Sequence, residues 1–351
     1  MNIAIKRDAT EVGEDGRVVG LDAGATLVRR FLRLFPDAQL IGPDPRQCAG
    51  FEVVPLDLLD PVETIIINMD VTDSPQLWEQ LYLQSGGDDP QIMNFVWFPV
   101  ARGLQPVQRA ALALSCALFP TFANSQRVAL DVKQLVADLT VPSLAEGAQL
   151  GWVNLGFRVA HVQRRQDTDK PVVLYPAIYL SGRKRPDMFL RVVSKVGAAT
   201  PLEVQMNLEQ LDLEELAPEL LAPYPQVRAQ PLYRDRAAYY DALSRVTAFL
   251  ATSTDEAYGL TYVEALGAGA VGVFPDLPWA RELLPQRYPF MYKDEDEATA
   301  MLAQVVADPQ GAAERLDLAA GGSFAEWLRD NHNDDAFDRE VRHRVTRWFP
   351  D

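Results

Sequence analysis

Short runs of apolar residues alternate along the chain with longer segments in which apolar residues recur at helical spacing. Residues 3–5 predict a strand, and residues 26–35, an amphipathic segment that Pro36 helps to end, predict a helix. Another helix is predicted from Ser125 to about residue 137. Further strands of the kind buried on both faces are predicted at Leu40–Ile41, Thr64–Asn68, Ile92–Trp97 and Leu118–Ala123, with one more strand and turn at Trp152–Phe157. This alternation is typical of a parallel sheet flanked by helices.

The same rhythm restarts after a polar stretch, residues 163–170, which has no apolar periodicity and is interpreted as a linker. The second series comprises strands at Val172–Tyr175, Leu202–Met206, Ala248–Ala251 and Ala270–Phe274, and helices at Asp187–Val196, Arg236–Ser244 and Leu260–Gly267. We therefore expect two Rossmann-like domains, residues 1–165 and residues 171–330.

The last segment, residues 331–351, contains a stretch with apolar residues at helical spacing and arginines between them. We expect a helix here that docks back on the first domain, and contact with anionic lipid at a membrane surface is the alternative interpretation.

Composition narrows the class of protein. The chain has 351 residues, and its hydrophobic fraction of 48% is enough for two ordinary cores. Acidic residues outnumber basic ones by 49 to 33, so nucleic acid is not an expected partner. The sequence shows no apolar run of roughly 20 residues and no signal-like start, so we expect a cytoplasmic protein without a transmembrane segment. The two cysteines and three histidines form no metal-binding pattern, which predicts that the protein uses no metal.

The most informative segment, residues 253–269, lies between two predicted strands and contains a loop followed by a helix. Glu256 lies in the loop at the carboxyl end of a strand, where open α/β sheets bind ligands. Gly259 lets the backbone approach a ligand closely, and the helix after it offers free amides that suit a phosphate. Glu264 lies about one turn into that helix, where its carboxylate can accept hydrogen bonds from a diol. Taken alone, such a pair of glutamates most often solvates a helix surface.

Two glutamates separated by seven residues around a Tyr-Gly-Leu-Thr turn resemble the signature of glycosyltransferase family 4, whose members are retaining enzymes with the GT-B fold. The flanking residues agree with this resemblance: they are Tyr239, Tyr240, Leu243 and Val246 before the motif, and the Gly267–Val273 turn and strand and Glu282 after it. The resemblance implies that Glu256 contacts the transferred sugar and that Glu264 holds the nucleotide ribose. It also implies that Tyr258 is one of the donor-binding residues and that the amides of Gly259, Leu260 and Thr261 face the donor phosphates.

The resemblance also implies a pair of cations for the leaving diphosphate, and Arg183 and Lys184 are the best candidates, although the arginine expected directly after the strand is replaced near Ala177. A solvated basic cluster that includes Arg185 is the alternative. In the first domain, Gly20 is the candidate for the family's glycine-rich loop beside donor and acceptor. The histidine that the family often has there is missing, and Asn94 or Trp97 is a candidate for its place, with core packing as the alternative for Trp97.

We therefore expect a GT-B protein whose two domains face a cleft, and which transfers a hexose from a nucleotide-sugar to an unidentified acceptor, with retention and without a metal. The nucleotide-sugar is the donor substrate, and no further cofactor is expected. The altered cation position and the missing histidine leave open a GT-B-shaped binding or scaffold protein without turnover, and a nucleotide-sugar epimerase is a third alternative. A nicotinamide dehydrogenase is disfavoured because no compact Gly-x-Gly-x-x-Gly follows the first strand.

Overall fold

The chain folds into two compact units in a computed structural model that describes residues 2–20, 22–100 and 103–350. Unit 1 consists of Met1–Asn154 and Ala336–Asp351, and unit 2 consists of Leu155–Asp335. The chain therefore passes between the units twice, after Asn154 and after Asp335.

Unit 1 is built on a sheet of eight strands: β1 (Asn2–Lys6), β2 (Gln39–Ile41), β3 (Arg46–Gln47), β4 (Glu52–Val54), β5 (Thr64–Asn68), β6 (Gln91–Val96), β7 (Thr121–Ala123) and β8 (Leu150–Trp152). Their order is β3-β4-β2-β1-β5-β6-β7-β8. All neighbours pair in parallel except β3, which runs antiparallel to β4 at one edge. The connections from β1 lead to one side of the sheet and those from β5 to the other, so the order reverses between these two strands, at the position where such sheets bind ligands.

The helices of unit 1 are α1 (Ala23–Leu34), α2 (Ser74–Ser85), α3 (Pro106–Leu118), α4 (Gln126–Leu139), α5 (Pro142–Gly147) and the last helix of the chain, α14 (Asp334–Trp348). The apolar face of α14 is buried in unit 1, where the Phe337 ring lies 5.9 Å from that of Phe95 and 6.2 Å from that of Phe122. Arg342 also donates a hydrogen bond of 3.0 Å to the carbonyl oxygen of Leu34 in α1. Because this core covers its apolar face, α14 cannot offer that face to a lipid surface.

Unit 2 has a fully parallel sheet of six strands: β9 (Val172–Leu174), β10 (Glu203–Leu208), β11 (Ala229–Pro231), β12 (Ala248–Leu250), β13 (Val271–Pro275) and β14 (Met291–Tyr292). The order is β11-β10-β9-β12-β13-β14, which is the doubly wound arrangement. Its helices are α6 (Pro186–Ala199), α7 (Ala217–Leu221), α8 (Arg236–Leu243), α9 (Leu260–Gly267), α10 (Pro278–Glu282), α11 (Glu295–Ala307), α12 (Pro309–Ala320) and α13 (Phe324–His332). The order reverses between β9 and β12, so the carboxyl ends of these strands flank the expected ligand crevice of unit 2.

The structure corrects the sequence interpretation at several elements of unit 1. The strand predicted at Leu118–Ala123 begins at Thr121, because Leu118 is the last residue of α3. Helices α2 and α3 were not predicted at all. On α3, exposed apolar residues such as Val107 and Leu114 blur the helical periodicity, because apolar side chains lie on both its buried and its solvent side.

The polar stretch 163–170, interpreted from the sequence as a linker, lies inside unit 2. Arg165 donates hydrogen bonds to the carbonyl oxygens of Val246 (2.6 Å) and Gly269 (3.1 Å), and the amide of Gln166 donates one to Ser244 (2.9 Å). These bonds fasten the stretch to the sheet at the amino ends of β12 and β13.

Candidate functional site

The loops that follow β9 and β12 leave the unit 2 sheet at its carboxyl edge, on either side of the point where the strand order reverses. Hydrogen bonds join the two loops directly. The Thr254 amide donates to the carbonyl oxygen of Arg183 at 3.0 Å, and the Thr252 hydroxyl donates to that of Lys184 at 2.6 Å. These hydrogen bonds hold residues more than 65 positions apart in sequence next to one another at the carboxyl edge of the sheet.

Glu256 is buried in this edge and surrounded by hydrogen-bond donors. The Lys184 ammonium forms an ion pair with its Oε1 atom, and Nη1 of Arg183 lies 3.8 Å from Oε2. The Tyr262 hydroxyl donates to Oε1 at 3.1 Å. Burial, and next the charge of Glu256, raise the pKa of Tyr262 well above its ordinary value, so that hydroxyl keeps its proton and remains a donor. The cluster of Arg183, Lys184, Glu256 and Tyr262 is called the cation–carboxylate cluster below.

The two cations of this cluster differ in their exposure. The Lys184 side chain is 10% exposed, whereas that of Arg183 is 35% exposed. Arg183 is also oriented by two further bonds, one to the Tyr179 hydroxyl at 2.8 Å and one to the carbonyl oxygen of Asp255 at 3.1 Å. Arg183 is therefore the more accessible of the two cations, while Lys184 neutralises the buried Glu256.

Helix α9 begins beside this cluster with a backbone arrangement that requires glycine. Gly259, its N-cap residue, has φ of +85°, and a Cβ atom there would lie 2.6 Å from the Tyr262 ring. The amides of Tyr262 and Val263 turn back to the Gly259 carbonyl oxygen. Among the residues that the structure describes, the Leu260 and Thr261 amides donate no hydrogen bond. These two N–H groups and the positive end of the helix dipole suit a phosphate.

Glu264 lies one turn further along α9, almost fully buried, and contacts a second set of partners. Arg236 forms an ion pair with its Oε1 atom, the Tyr240 hydroxyl donates to the same atom at 3.1 Å, and the Tyr239 hydroxyl donates to Oε2 at 2.9 Å. All three partners come from α8, where spacings of three and four residues put them on one face. Burial and then Glu264 raise the pKa of Tyr239, which keeps that hydroxyl a donor.

The two remaining candidates of unit 2, Tyr258 and Glu282, lie in different surroundings. The hydroxyl of Tyr258 is buried, where it accepts a hydrogen bond from the Gly156 amide (2.9 Å) and lies 2.7 Å from Nδ1 of His332. Glu282 lies exposed at the end of α10. Glu256, the Leu260 and Thr261 amides and Glu264 therefore follow one another from β12 into α9, and Arg183 and Lys184 reach Glu256 from the loop after β9. The Tyr258 hydroxyl takes part in a separate network.

Gly20 belongs to unit 1, in the loop between β1 and α1. Its φ is +100°, and its carbonyl oxygen accepts a hydrogen bond of 2.7 Å from Arg29. Asp22 follows and caps α1 by accepting bonds from the Gly24 and Ala25 amides. The loop thus ends in a capped helix start at the carboxyl edge of the first sheet.

The same edge of unit 1 carries a dense polar cluster that the sequence analysis missed. Lys6, the last residue of β1, donates to Asp8 (2.8 Å), Asp70 (3.2 Å) and Asp73 (2.7 Å). Burial by itself would lower the pKa of Lys6, but the hydrogen bonds with Asp73 and Asp8 raise it above its ordinary value. The outward groups of this cluster are the carboxylates, of which Asp8 is the most exposed.

Asn94 and Trp97, the two candidates for the place of the missing histidine, lie in different surroundings. Asn94 is fully buried in β6 and donates to the Ser115 carbonyl oxygen at 3.1 Å, so it serves the core. Trp97 follows β6 and is half-buried, with its indole N–H donating to the Met69 carbonyl oxygen and the Arg7 guanidinium 5.6 Å from its ring. Trp97 therefore lies at the ligand edge of unit 1.

The sequence analysis also did not identify Arg236, which pairs with Glu264, or Tyr262, which donates to Glu256, as functional residues. The spacing of Arg236, Tyr239 and Tyr240 on one predicted helix was a signal for the first. Tyr262 gave no comparable signal, because an aromatic residue two positions before a glutamate on a helix is ordinary core sequence.

Comparison with known proteins identifies the fold. No protein-family model matches the sequence, and no curated protein matches it. Among solved structures, a sucrose-phosphate synthase from Thermosynechococcus elongatus is 14% identical with a TM-score of 0.68, covering 99% of this chain and 98% of that one. The HepE protein of Anabaena, solved with UDP and glucose, is 11% identical with a TM-score of 0.71 over 99% and 100% of the two chains. A UDP-forming trehalose-phosphate synthase from Burkholderia vietnamiensis is 11% identical with a TM-score of 0.66 over 99% and 97%.

These similarities, together with the two parallel-sheet units, show that the chain has the GT-B fold, as the sequence predicted. Within the described part of the chain, no helix has the length and apolar character needed to cross a membrane.

Proposed function

We propose that this chain, which has the GT-B fold, is a glycosyltransferase that uses a nucleotide-sugar donor. The observation that carries the proposal is the cation–carboxylate cluster beside the Leu260 and Thr261 amides, at the point where the strand order of unit 2 reverses. Positive groups for a diphosphate and a buried carboxylate for hydroxyl groups meet there, and a nucleotide-sugar contains both kinds of ligand chemistry.

The donor is assigned to unit 2 in three parts. Its diphosphate contacts the Leu260 and Thr261 amides and Arg183, the more exposed cation. Its sugar hydroxyls donate to Glu256, and its ribose hydroxyls approach Glu264. Uridine diphosphate sugars are the first donors to test, because the solved structures similar in fold include one bound to UDP-glucose.

The proposed transfer retains the configuration of the sugar. The bond from the anomeric carbon to the leaving phosphate oxygen breaks while a bond to the acceptor oxygen forms on the same face. The departing phosphate oxygen takes the proton of the acceptor hydroxyl. Glu256 suits the role of an orienting group more than that of a nucleophile, because Lys184 neutralises its charge and Tyr262 occupies a lone pair.

The reaction is proposed to need no metal ion. The negative charge that develops on the leaving diphosphate is met by Arg183, by the two amides at the start of α9 and by the dipole of that helix. Full activity in the presence of EDTA is the expected outcome.

The acceptor is proposed to bind at the carboxyl edge of the unit 1 sheet, near Trp97 and the Lys6 cluster. The exposed carboxylate of Asp8 and the half-buried carboxylate of Asp70 accept hydrogen bonds from hydroxyl groups, and the Trp97 ring offers an apolar face. A hydroxylated acceptor without a negative charge matches this edge best, since its outward groups are anionic.

The test is a thermal-shift screen of nucleotide-sugars, followed by transfer assays with the donors that bind. A donor at one hundred times its Kd stabilises the protein by about 2.7 kcal/mol. Arg183→Ala should weaken diphosphate binding about tenfold, the loss of roughly one charge-assisted hydrogen bond. Arg245→Ala, which removes a surface arginine paired with Asp241 in the same unit, is the matched control and should leave binding unchanged.

Two results would contradict the proposal. One is that none of the nucleotide-sugars stabilises the protein. The other is that donors bind but no sugar is transferred to water or to any hydroxylated acceptor, which would favour the GT-B-shaped binding protein instead. An inverted anomeric signal in the product would overturn retention alone.

A further inference from the structure

The two segments in which the chain enters and leaves unit 2 are hydrogen-bonded to each other. The Phe157 amide donates to the His332 carbonyl oxygen at 2.8 Å, and the Asp334 amide donates to the Phe157 carbonyl oxygen at 3.2 Å. Arg158 adds an ion pair with Asp334 at 3.2 Å. Residues 156–158 and 332–334 are called the clasp below. The clasp lies next to both covalent connections between the units.

Gly156 allows the two segments of the clasp to approach this closely. Its φ is +67°, and a Cβ atom there would lie 2.6 Å from the carbonyl carbon of Asn333. The close approach turns the Gly156 amide inward, where it donates to the Tyr258 hydroxyl.

The Tyr258 hydroxyl connects both segments of the clasp at once. Nε2 of His332 lies 3.1 Å from the Leu283 carbonyl oxygen, which can only accept, so Nε2 carries the proton. Burial lowers the pKa of His332 to about 4, which keeps the ring neutral at physiological pH, so Nδ1 accepts a hydrogen bond from Tyr258. The hydroxyl therefore accepts from Gly156 and donates to His332, and these two residues belong to the clasp.

Tyr258 also stands in the segment that carries the proposed donor contacts. It lies two residues after Glu256 and directly before Gly259, the N-cap of α9. The other end of α9 contacts the clasp as well: the Phe157 ring packs over Gly267, where a Cβ atom would lie 2.5 Å from the ring. The clasp therefore fixes both ends of the segment from Glu256 to the end of α9.

We propose that Tyr258 and His332 are positioning residues, which couple the clasp to the loop that carries Glu256 and the phosphate-binding amides. The inference rests on the function proposed above for that loop. Removing the Tyr258 hydroxyl frees the loop from the clasp, so the amides of α9 still bind a diphosphate but Glu256 no longer holds the sugar in the reactive orientation. The loss of the hydroxyl therefore lowers kcat and leaves the affinity for the nucleotide unchanged.

The test compares Tyr258→Phe with Tyr288→Phe. Both remove a buried hydroxyl from unit 2, but that of Tyr288 donates to the Gly272 carbonyl oxygen at 2.8 Å, outside the clasp. We expect similar falls in Tm for the two variants. Tyr258→Phe alone should lower kcat about tenfold and leave the Kd for UDP within about twofold.

Hydrogen exchange provides a readout that does not depend on activity. In Tyr258→Phe, amides of residues 252–262 should exchange faster together with those of residues 155–158, and Tyr288→Phe should change neither segment. His332→Phe breaks the same bond from the other side, so its effect on exchange and that of Tyr258→Phe should be less than additive in the double variant.

Two outcomes would overturn the coupling: faster exchange confined to residues 155–158, or a kcat for Tyr258→Phe equal to that for Tyr288→Phe. If the wild-type protein transfers no sugar, the proposed function fails, whereas the exchange of residues 252–262 still decides whether Tyr258 couples the clasp to the loop.

Discussion

The Glu264 network gives a prediction whose size can be worked out from its contacts. Glu264→Ala would leave the Arg236 guanidinium without its carboxylate and the hydroxyls of Tyr239 and Tyr240 without their acceptor. Each stranded hydroxyl costs about 1 kcal/mol. Breaking a fully buried ion pair costs about 3–5 kcal/mol, which we discount to roughly 2 because the Arg236 side chain is 27% exposed. The expected loss is therefore about 4 kcal/mol, or a fall in Tm of about 10 °C.

Scanning calorimetry with and without UDP is the appropriate assay, and Glu264→Gln and Glu219→Ala are the comparison variants. The glutamine keeps one acceptor oxygen and should lose about half as much stability, so any loss of nucleotide affinity can be measured on a folded protein. Glu219 is exposed on α7, and its replacement should change stability by less than about 0.5 kcal/mol. A Tm for Glu264→Ala equal to that of Glu219→Ala would refute the network, and unchanged UDP affinity in Glu264→Gln would refute the ribose assignment.

Three further predictions concern stability and are measured by urea unfolding. Gly259→Ala should lower stability by about 2 kcal/mol, and more than Gly321→Ala, because both glycines have positive φ but a Cβ atom meets no neighbour within 4 Å at Gly321; equal losses would contradict this. Lys184→Ala should cost about 3 kcal/mol by leaving the Glu256 carboxylate buried without its nearest cation, and an unchanged midpoint would count against the ion pair. The pKa of His332, about 4 in the folded protein, lies below its ordinary value of 6.5. The contribution of the neutral ring to the free energy of unfolding is therefore complete above pH 6.5, and the free energy of unfolding falls by about 3 kcal/mol as the pH drops to 4. In His332→Gln the free energy of unfolding should vary less with pH over that interval than in the wild type. Parallel pH profiles of the two proteins would contradict the lowered pKa of His332.

The sequence predicted best those elements whose apolar pattern is local and uniform. Helix α9 was placed at Leu260–Gly267, and β5 at Thr64–Asn68, with the bounds that the structure has. The centre of β5 is an uninterrupted run of three isoleucines, and α9 follows the strong turn signal of Gly259. Helix α2 was not predicted because its main buried apolar residues are Leu77 and Leu81. Two such residues among polar neighbours are too few to show a helical period.

The residues of the candidate site could be chosen from the sequence, but the contacts between their side chains could not. Lys184 and Glu256 were both chosen as catalytic candidates, yet their contact joins residues from two loops far apart in sequence, which only the parallel packing of β9 against β12 brings together. The network from Tyr258 to Gly156 and His332 depends on the close approach of the two clasp segments. A periodic pattern carries no signal for such contacts, because it reports which face of an element is buried and not what covers that face.

The central claim is that the start of α9 and Arg183 bind the donor diphosphate, and a crystal structure of the protein with UDP tests it most directly. We expect phosphate oxygens within about 3 Å of the Leu260 and Thr261 amide nitrogens and of the Arg183 guanidinium. UDP bound elsewhere on the protein, without contact to these groups, would contradict the account.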